Sequence, residues 1–162
     1  MLNTTNEYLK ISLNSGIFND NELDALKEIL EAYEQNPGKD YFLFEERQGS
    51  ALLGFLIFGK SSLTHFSWDI YRLVVDKDFL EQPIAEKLLA RLEDFILKDE
   101  KKAILRVETS TKEACAHARE LYEQLNFQEG GRIPSFYDDK EDLIVYYKPI
   151  GITMPEDLLS HY

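Results

Sequence analysis

Residues 69–98 read DIYRLVVDKDFLEQPIAEKLLARLEDFILK, and the fold turns on how this stretch changes period. Ile70-Tyr71-Arg72-Leu73-Val74-Val75 is rich in β-branched and aromatic residues and ends a strand that starts near Phe66. From Ile84 the pattern becomes helical: Ile84, Leu88, Leu92, Phe95 and Ile96 share one face, with Lys87, Arg91, Asp94 and Lys98 on the other. Between them, Asp76 to Pro83 forms a short connection. The first turn of a helix has unpaired N–H groups and the positive end of the macrodipole, so a strand that runs into a helix this way can dock an anion on backbone alone. Ala103 to Thr109 then returns as a strand. Strand, helix and strand make a crossover, which predicts a parallel pair.

Upstream, Asn3 to Gly16 suits either a short helix stopped by glycine or a strand. Asn19 and Glu22 have the spacing of a capping box, followed by the helical face Leu23, Leu26, Ile29, Leu30 and Tyr33, which Pro37-Gly38 ends. Tyr41 to Glu46 and Ala51 to Lys60 read as a hairpin turning through Arg47-Gln48-Gly49-Ser50. Downstream, Ser110 and Glu113 suggest a second capping box. It would open a helix burying Ala114, Ala118, Leu121, Tyr122 and Leu125, with Asn126 in the left-handed region ending it. Gln128 to Ile133 and Leu143 to Lys148 complete the sheet, and Leu63 to Phe66 and Arg132 to Tyr137 are read as loops that, with the first helix region, set the shape of a pocket. Residues 1–150 are expected to form one domain and 151–162 a polar tail.

Composition narrows the class of partner. Thirty Asp and Glu against 18 Lys and Arg leave a net charge of −12, which disfavours nucleic acid and favours cationic ligands. An anionic cofactor would then need local cations, for which Lys87, Arg91, Arg72 and Arg119 are candidates. One cysteine, Cys115, and three dispersed histidines give neither an intrachain disulfide nor a zinc spacing, and the expectation is a reducing cytoplasm and no metal. No stretch approaches the length of a membrane span, so no membrane association is expected.

The crossover, together with Leu121-Tyr122 and Asn126-Phe127 downstream, resembles the GNAT superfamily of N-acetyltransferases over roughly Gly16 to Lys148. Ser15-Gly16-Ile17-Phe18, Leu63-Thr64 to Tyr71 and Arg132 to Tyr137 are similar to one bacterial branch of it. The resemblance implies an α/β (α+β) fold: a mixed, mostly antiparallel twisted sheet whose central parallel strand pair splays into a coenzyme A cleft, with helices on both faces. The superfamily's first strand has little room here ahead of Tyr8. Where relatives place Gln or Arg, Gly, and Gly or Ala in the phosphate loop, this chain has Leu80, Pro83 and Ala85. Proline offers no N–H, and Glu81 and Glu86 add negative charge beside the expected phosphates, so weakened coenzyme A binding is predicted.

The implied activity is acetyl transfer from acetyl-CoA, as co-substrate, to a primary amine of a small molecule or peptide by direct attack in a ternary complex. A catalytically weak or inactive module that senses coenzyme A or binds a protein is the alternative. By resemblance, the cofactor-binding residues are Leu73, Val74 and Val75 on the strand, Leu80, Glu81, Gln82, Pro83, Ile84, Ala85 and Glu86 at the loop, and Cys115, Ala118 and Tyr122. Tyr122 matches the tyrosine that relatives use to protonate the leaving thiolate. Such a reaction also needs a base for the ammonium. Asp69 and Glu108 are the candidates: Asp69 matches a catalytic glutamate in some branches and shares strand parity with Tyr71, Leu73 and Val75, whereas Glu108 lies near the end of the next strand. A homodimer is possible, with Tyr137, Tyr146 and Tyr147 as exposed aromatic residues for its interface.

Overall fold

A computed structural model describes the backbone of residues 2–151 and the side chains of residues 5–151; apart from Gly151, the expected tail lies outside this range. Two helices come first, α1 (Leu2–Ser15) and α2 (Asp20–Gln35). The hairpin β1 (Phe42–Gln48) and β2 (Ala51–Lys60) follows, then β3 (Ser67–Val75), α3 (Ile84–Leu97), β4 (Ala103–Ser110), α4 (Ala116–Gln124), β5 (Gln128–Asp138) and β6 (Glu141–Ile150). The N-terminal segment is therefore a helix, stopped at Gly16 with φ of 70°, and among the described residues no strand precedes it. Asn19 and Glu22 form the expected reciprocal capping box.

The six strands lie in the order β1-β2-β3-β4-β6-β5, antiparallel throughout except for the parallel pair β3 and β4. Helices cover both faces. One core joins Ile84, Leu88, Leu92 and Ile96 of α3 and Leu121 and Tyr122 of α4 to Leu56, Phe58, Ile70, Leu105 and Ile144 of the sheet. The other joins Tyr8, Ile11, Leu26 and Leu30 to Phe55, Ile57 and Val74. Leu52 to Gly59 of β2 is buried without interruption, as expected for a strand packed on both sides.

Two irregularities shape the centre of the sheet. The parallel pairing runs only from Ser67↔Ile104 to Ile70↔Val107, after which β3 and β4 separate and leave five residues of β3 without a partner on that edge. The ladder between β2 and β3 pairs Ile57 with Arg72 and Phe58 with Ile70, so Tyr71 is the extra residue of a bulge. A bulge resets the alternation of side chains. Tyr71 packs toward α1 and α2, while Leu73 and Val75 pack toward α3, and the parity read from sequence for Asp69, Tyr71, Leu73 and Val75 is broken between the second and third of them.

Three local expectations are corrected. Ser110 ends β4 rather than capping a helix: its hydroxyl donates to Glu141 and accepts from the Lys112 N–H, a 3-10 turn covers Glu113–Cys115, and α4 starts only at Ala116. Ala114 is consequently exposed. Arg132 to Tyr137 is not a loop but part of β5, which continues past Ser135 (φ 52°) to pair Asp138 with Glu141. Tyr146 is buried and bonds Glu123, so it is no exposed interface residue. At the end of α4, Asn126 (φ 68°) behaves as expected: its N–H bonds Glu123 and the Phe127 N–H bonds Tyr122, closing the last turn.

Candidate active site

The separation of β3 from β4 opens a cavity of about 310 Å³ between them. Leu73, Cys115, Ala118 and Tyr122 form one part of its wall; Phe18, Glu22, Asp69, Arg72, Arg106, Glu108 and Tyr137 contribute elsewhere. Two smaller hollows continue it. One, of about 70 Å³, shares Ile17, Leu73 and Ala118 with the cavity and reaches Val75, Lys77, Leu80, Gln82, Ala85, Glu86 and His117. The next, of about 170 Å³, shares Leu80, Gln82, Glu86, His117 and Leu121 with the second and adds Glu81 and Pro83. Together they trace a trough from the strand split to the first turn of α3.

Backbone donors line this trough. The Asp76 N–H bonds back to Leu53 across the β2 ladder, and alternation along a strand then turns the N–H groups of Leu73 and Val75 toward the open edge and that of Val74 toward β2. At α3, the Ile84 N–H is taken by the Gln82 carbonyl and the Lys87 N–H by that of Pro83, whereas Ala85 and Glu86 donate to no acceptor among the described residues. Val74 and Ile84, named from sequence, therefore drop out: their side chains are buried in the two cores and their amides point elsewhere. The remaining loop residues, with Leu73, Val75, Cys115, Ala118 and Tyr122, line the trough. Gly54 lets α3 sit this close to the sheet, since a Cβ there would meet Ile84 Cγ2 and the Val74 carbonyl oxygen at 2.8 Å each.

Tyr122 is buried, its ring packed 5.3 Å from Phe127 and 5.7 Å from Tyr146. Its hydroxyl makes no hydrogen bond among the described residues. Burial pushes its pKa well above the ordinary 10, so it stays protonated. Burial likewise raises the Cys115 thiol, and among the described residues no histidine lines the cavity beside it.

The two candidate bases differ. Asp69 accepts from Arg106 Nε at 2.6 Å and is largely covered, while Glu108 is nearly half exposed and lies 3.5 Å from Arg106 Nη1. The bond to Asp69 raises the guanidinium pKa, so Arg106 is a fixed positive charge between the two carboxylates. Tyr137 faces the same cavity, its pKa pushed up to about 12 by burial and by Glu108 and Glu22.

Sequence reasoning brought Tyr137 to the pocket only within a segment that shapes it, and it missed Phe18, Glu22 and Arg106 as cavity residues, as well as Lys77 and His117 along the trough. Arg106 was within reach, because it stands two residues before Glu108 on one strand and so shares its face. The basic residues expected around phosphates are placed elsewhere. Arg91 donates to the Glu45 carbonyl and stacks 4.5 Å over Phe44, Arg119 holds the Ser110 and Lys112 carbonyls, Lys87 does not line the trough, and Arg72 belongs to the main cavity. Among the described residues no three His, Cys, Asp or Glu side chains gather as metal ligands, and no helix is long and apolar enough to cross a membrane.

This arrangement of split parallel strands and helix tip is the one that the resemblance to GNAT acetyltransferases implies. Residues 37–129 match the family model for the acetyltransferase (GNAT) domain, and the chain belongs to that family. No functionally curated protein matches the sequence. Solved structures do resemble it. A protein assigned to the GNAT family from Desulfovibrio desulfuricans superposes with a TM-score of 0.81 at 21% identity, over 91% of this chain and 93% of that one. The ribosomal-protein-S18-alanine N-acetyltransferase of Escherichia coli gives 0.62 at 26%, over 77% and 79%. An aminoglycoside 6′-N-acetyltransferase complexed with coenzyme A gives 0.70 at 16%, over 93% and 92%.

Proposed function

We propose that this enzyme transfers an acetyl group to a primary amine of a small molecule or peptide by direct attack within a ternary complex, with acetyl-CoA as co-substrate. The observation that carries this reading is the opening of β3 beyond Ile70 beside the unbonded Tyr122 hydroxyl and the half-exposed Glu108. Acetyl-CoA supplies the activated thioester. The Leu73 and Val75 amides are suited to hold its amide arm and polarise the acetyl carbonyl. The Ala85 and Glu86 amides, with Lys77 and His117 nearby, are suited to the pyrophosphate. Glu108 takes the proton of the incoming ammonium, directly or through water, because Asp69 is committed to Arg106; Asp69 acts by positioning that arginine. As the amine nitrogen bonds the acetyl carbon, the carbon–sulfur bond breaks, Tyr122 gives its proton to the departing sulfur, and the second proton that the nitrogen sheds restores the phenol through solvent.

A module that binds coenzyme A weakly is favoured by one specific observation: Pro83 occupies the N-cap of α3, next to Glu81 and Glu86. Titration with acetyl-CoA separates the two readings. Saturation at about 100 times Kd should add about 2.7 kcal/mol of stability. Pro83→Gly restores a donor worth about 1.5–3 kcal/mol toward an anion, less about 0.5–1 for chain freedom, a net of about 0.5–2.5, so binding should tighten by about two- to seventyfold. No thermal shift with acetyl-CoA in either protein refutes the enzyme reading.

A further inference from the structure

Arg72 is the cation at the main cavity that, among the described residues, has no carboxylate within ion-pair distance. Its Nη1 donates to the carbonyl oxygen of its own neighbour, Tyr71, at 2.6 Å. Among the described residues its Nε is sealed from solvent with no acceptor and Nη2 has no hydrogen-bond partner, while the Phe18 ring lies 5.5 Å from Cζ. Burial lowers the guanidinium pKa, yet arginine remains charged at any working pH. A covered donor and charge without partners is costly, and such a cost points to a group that arrives from outside.

Carboxylates stand close enough to be felt, but among the described residues none pairs with it. Glu22 accepts from the Asn19 N–H at 2.8 Å as the capping-box partner, and Glu108 faces Arg106. The cavity thus keeps an unpaired guanidinium apart from a half-exposed carboxylate instead of letting them neutralise each other. Three carboxylates against two guanidiniums also leave one excess negative charge.

Resting on the acetyl-transfer reading above, we propose that the acceptor is a zwitterion, a small amine that also carries a carboxylate, as an amino acid does. Arg72 takes the carboxylate and Glu108 receives the ammonium. The cavity, at about 310 Å³, lies at the lower end for small-molecule sites and must also admit an acetyl group, which suits an acceptor of amino-acid size. A site built around a charged partner discriminates strongly against an analogue that lacks it, because its own buried group is then left unpaired.

The test uses the full chain, saturated with acetyl-CoA, against the proteinogenic amino acids, each paired with the amine left when its carboxylate is removed, and against aminoalkyl phosphates. For the amino acids turned over, kcat/KM should exceed that of the matched amine by about tenfold or more. In Arg72→Gln that ratio should fall to near one, mostly through KM, and Arg72→Lys should retain part of it. Should Arg72→Gln fail to fold, the wild-type ratios and Arg72→Lys decide. Plain amines turned over as well as amino acids, a preference for the phosphates, a ratio unchanged in Arg72→Gln, or acetyl-CoA bound with no amino acid acetylated would each overturn the inference. The acetyl-transfer reading survives wherever any amine is acetylated. It falls, and takes the inference with it, if acetyl-CoA gives no thermal shift and no amine reacts.

Discussion

Replacing Tyr122 by Phe separates catalysis from folding at this site. The hydroxyl bonds nothing among the described residues, so its removal strands no partner, and stability should stay within about 0.5 kcal/mol of wild type. The ring contacts with Phe127 and Tyr146 remain. The lost function is proton donation to the departing sulfur. In water a thiol of pKa about 8.5 would take a proton from a phenol of about 10 only uphill, and burial raises the phenol further. A thiolate expelled into the same enclosed space is also destabilised, as the raised Cys115 thiol shows at the adjoining wall, so the two values move together and the donor keeps its use. General acids contribute about 10²–10⁴-fold. A thiolate is a fair leaving group, so the low end applies: a loss of about 10² in kcat, or about 2.7 kcal/mol. Pre-steady-state acetyl transfer to an amine that wild type turns over gives the chemical step free of product release. An acetyl thioester of a more acidic thiol should narrow the gap between the two enzymes. A chemical step within twofold of wild type, with unchanged melting temperature, would remove Tyr122 from the mechanism.

Two further perturbations test the scaffold. Gly54→Ala puts a methyl 2.8 Å from both Ile84 Cγ2 and the Val74 carbonyl oxygen; the second is core backbone of β3 that cannot simply turn away, so β3 or the start of α3 must shift. Overpacking of this kind costs about 1–3 kcal/mol, or about 2–12 °C of melting temperature, and KM for acetyl-CoA should rise more than KM for the acceptor; an equal rise in both would mean that the α3 tip does not hold the co-substrate. Glu45 is the other. Burial pushes its carboxyl up, but hydrogen bonds from Arg47 and from the Tyr8 hydroxyl (2.8 Å) outweigh that, and its pKa lies below the ordinary 4.5. A depressed carboxyl contributes stability above the unfolded value that is lost as pH falls through the folded one. The melting-temperature advantage of wild type over Glu45→Gln should therefore be full at pH 7 and shrink below about pH 4.5; an advantage that does not change with pH would show that the α1–β1 tie is not electrostatic.

What could be read in advance follows from the range over which each feature is determined. Helix α3, the crossover, the capping box at Asn19 and the left-handed Asn126 are local: period, caps and breakers lie within a few residues of what they specify. The Ser110–Glu113 motif has the same local form, yet it failed because Glu141 and β6 competed for the serine and prolonged β4. Pairing partners far along the chain decided that outcome, as they decided that Pro134 and Ser135 lie within a strand rather than a loop. The cavity was half legible. Asp69, Glu108 and Tyr122 stand on elements whose order was clear, and the segment that ends at Tyr137 was read as shaping a pocket, but Glu22 comes from the first turn of α2, where its spacing from Asn19 announces only a helix cap. Only the side on which each element packs brings them together.

The bulge at Tyr71 predicts that the proposed co-substrate and acceptor sites should respond differently to substitution. By adding one residue to β3, it sends Asp69 and Tyr71 to the α1–α2 side and Leu73 and Val75 to the α3 side, while the next segment of the same strand is the one that parts from β4. Past the bulge the useful groups are amides, and an amide is supplied by any residue except proline. Leucine, valine, alanine and even glutamate can therefore stand along the trough without removing its donors, and Pro83 is the one residue there that does remove one. On the acceptor side the working groups are side chains, each fixed by a specific partner: Asp69 by Arg106, Glu22 by Asn19, Arg72 by the Tyr71 carbonyl. Substitutions in the phosphate loop should accordingly change affinity for acetyl-CoA in small steps, whereas a single change at Arg72 or Glu108 should alter which amine is acetylated. An acetyl-CoA Kd nearly insensitive to side-chain truncation along 80–86, set beside acceptor selectivity that collapses on one substitution, is the pattern this division of labour requires.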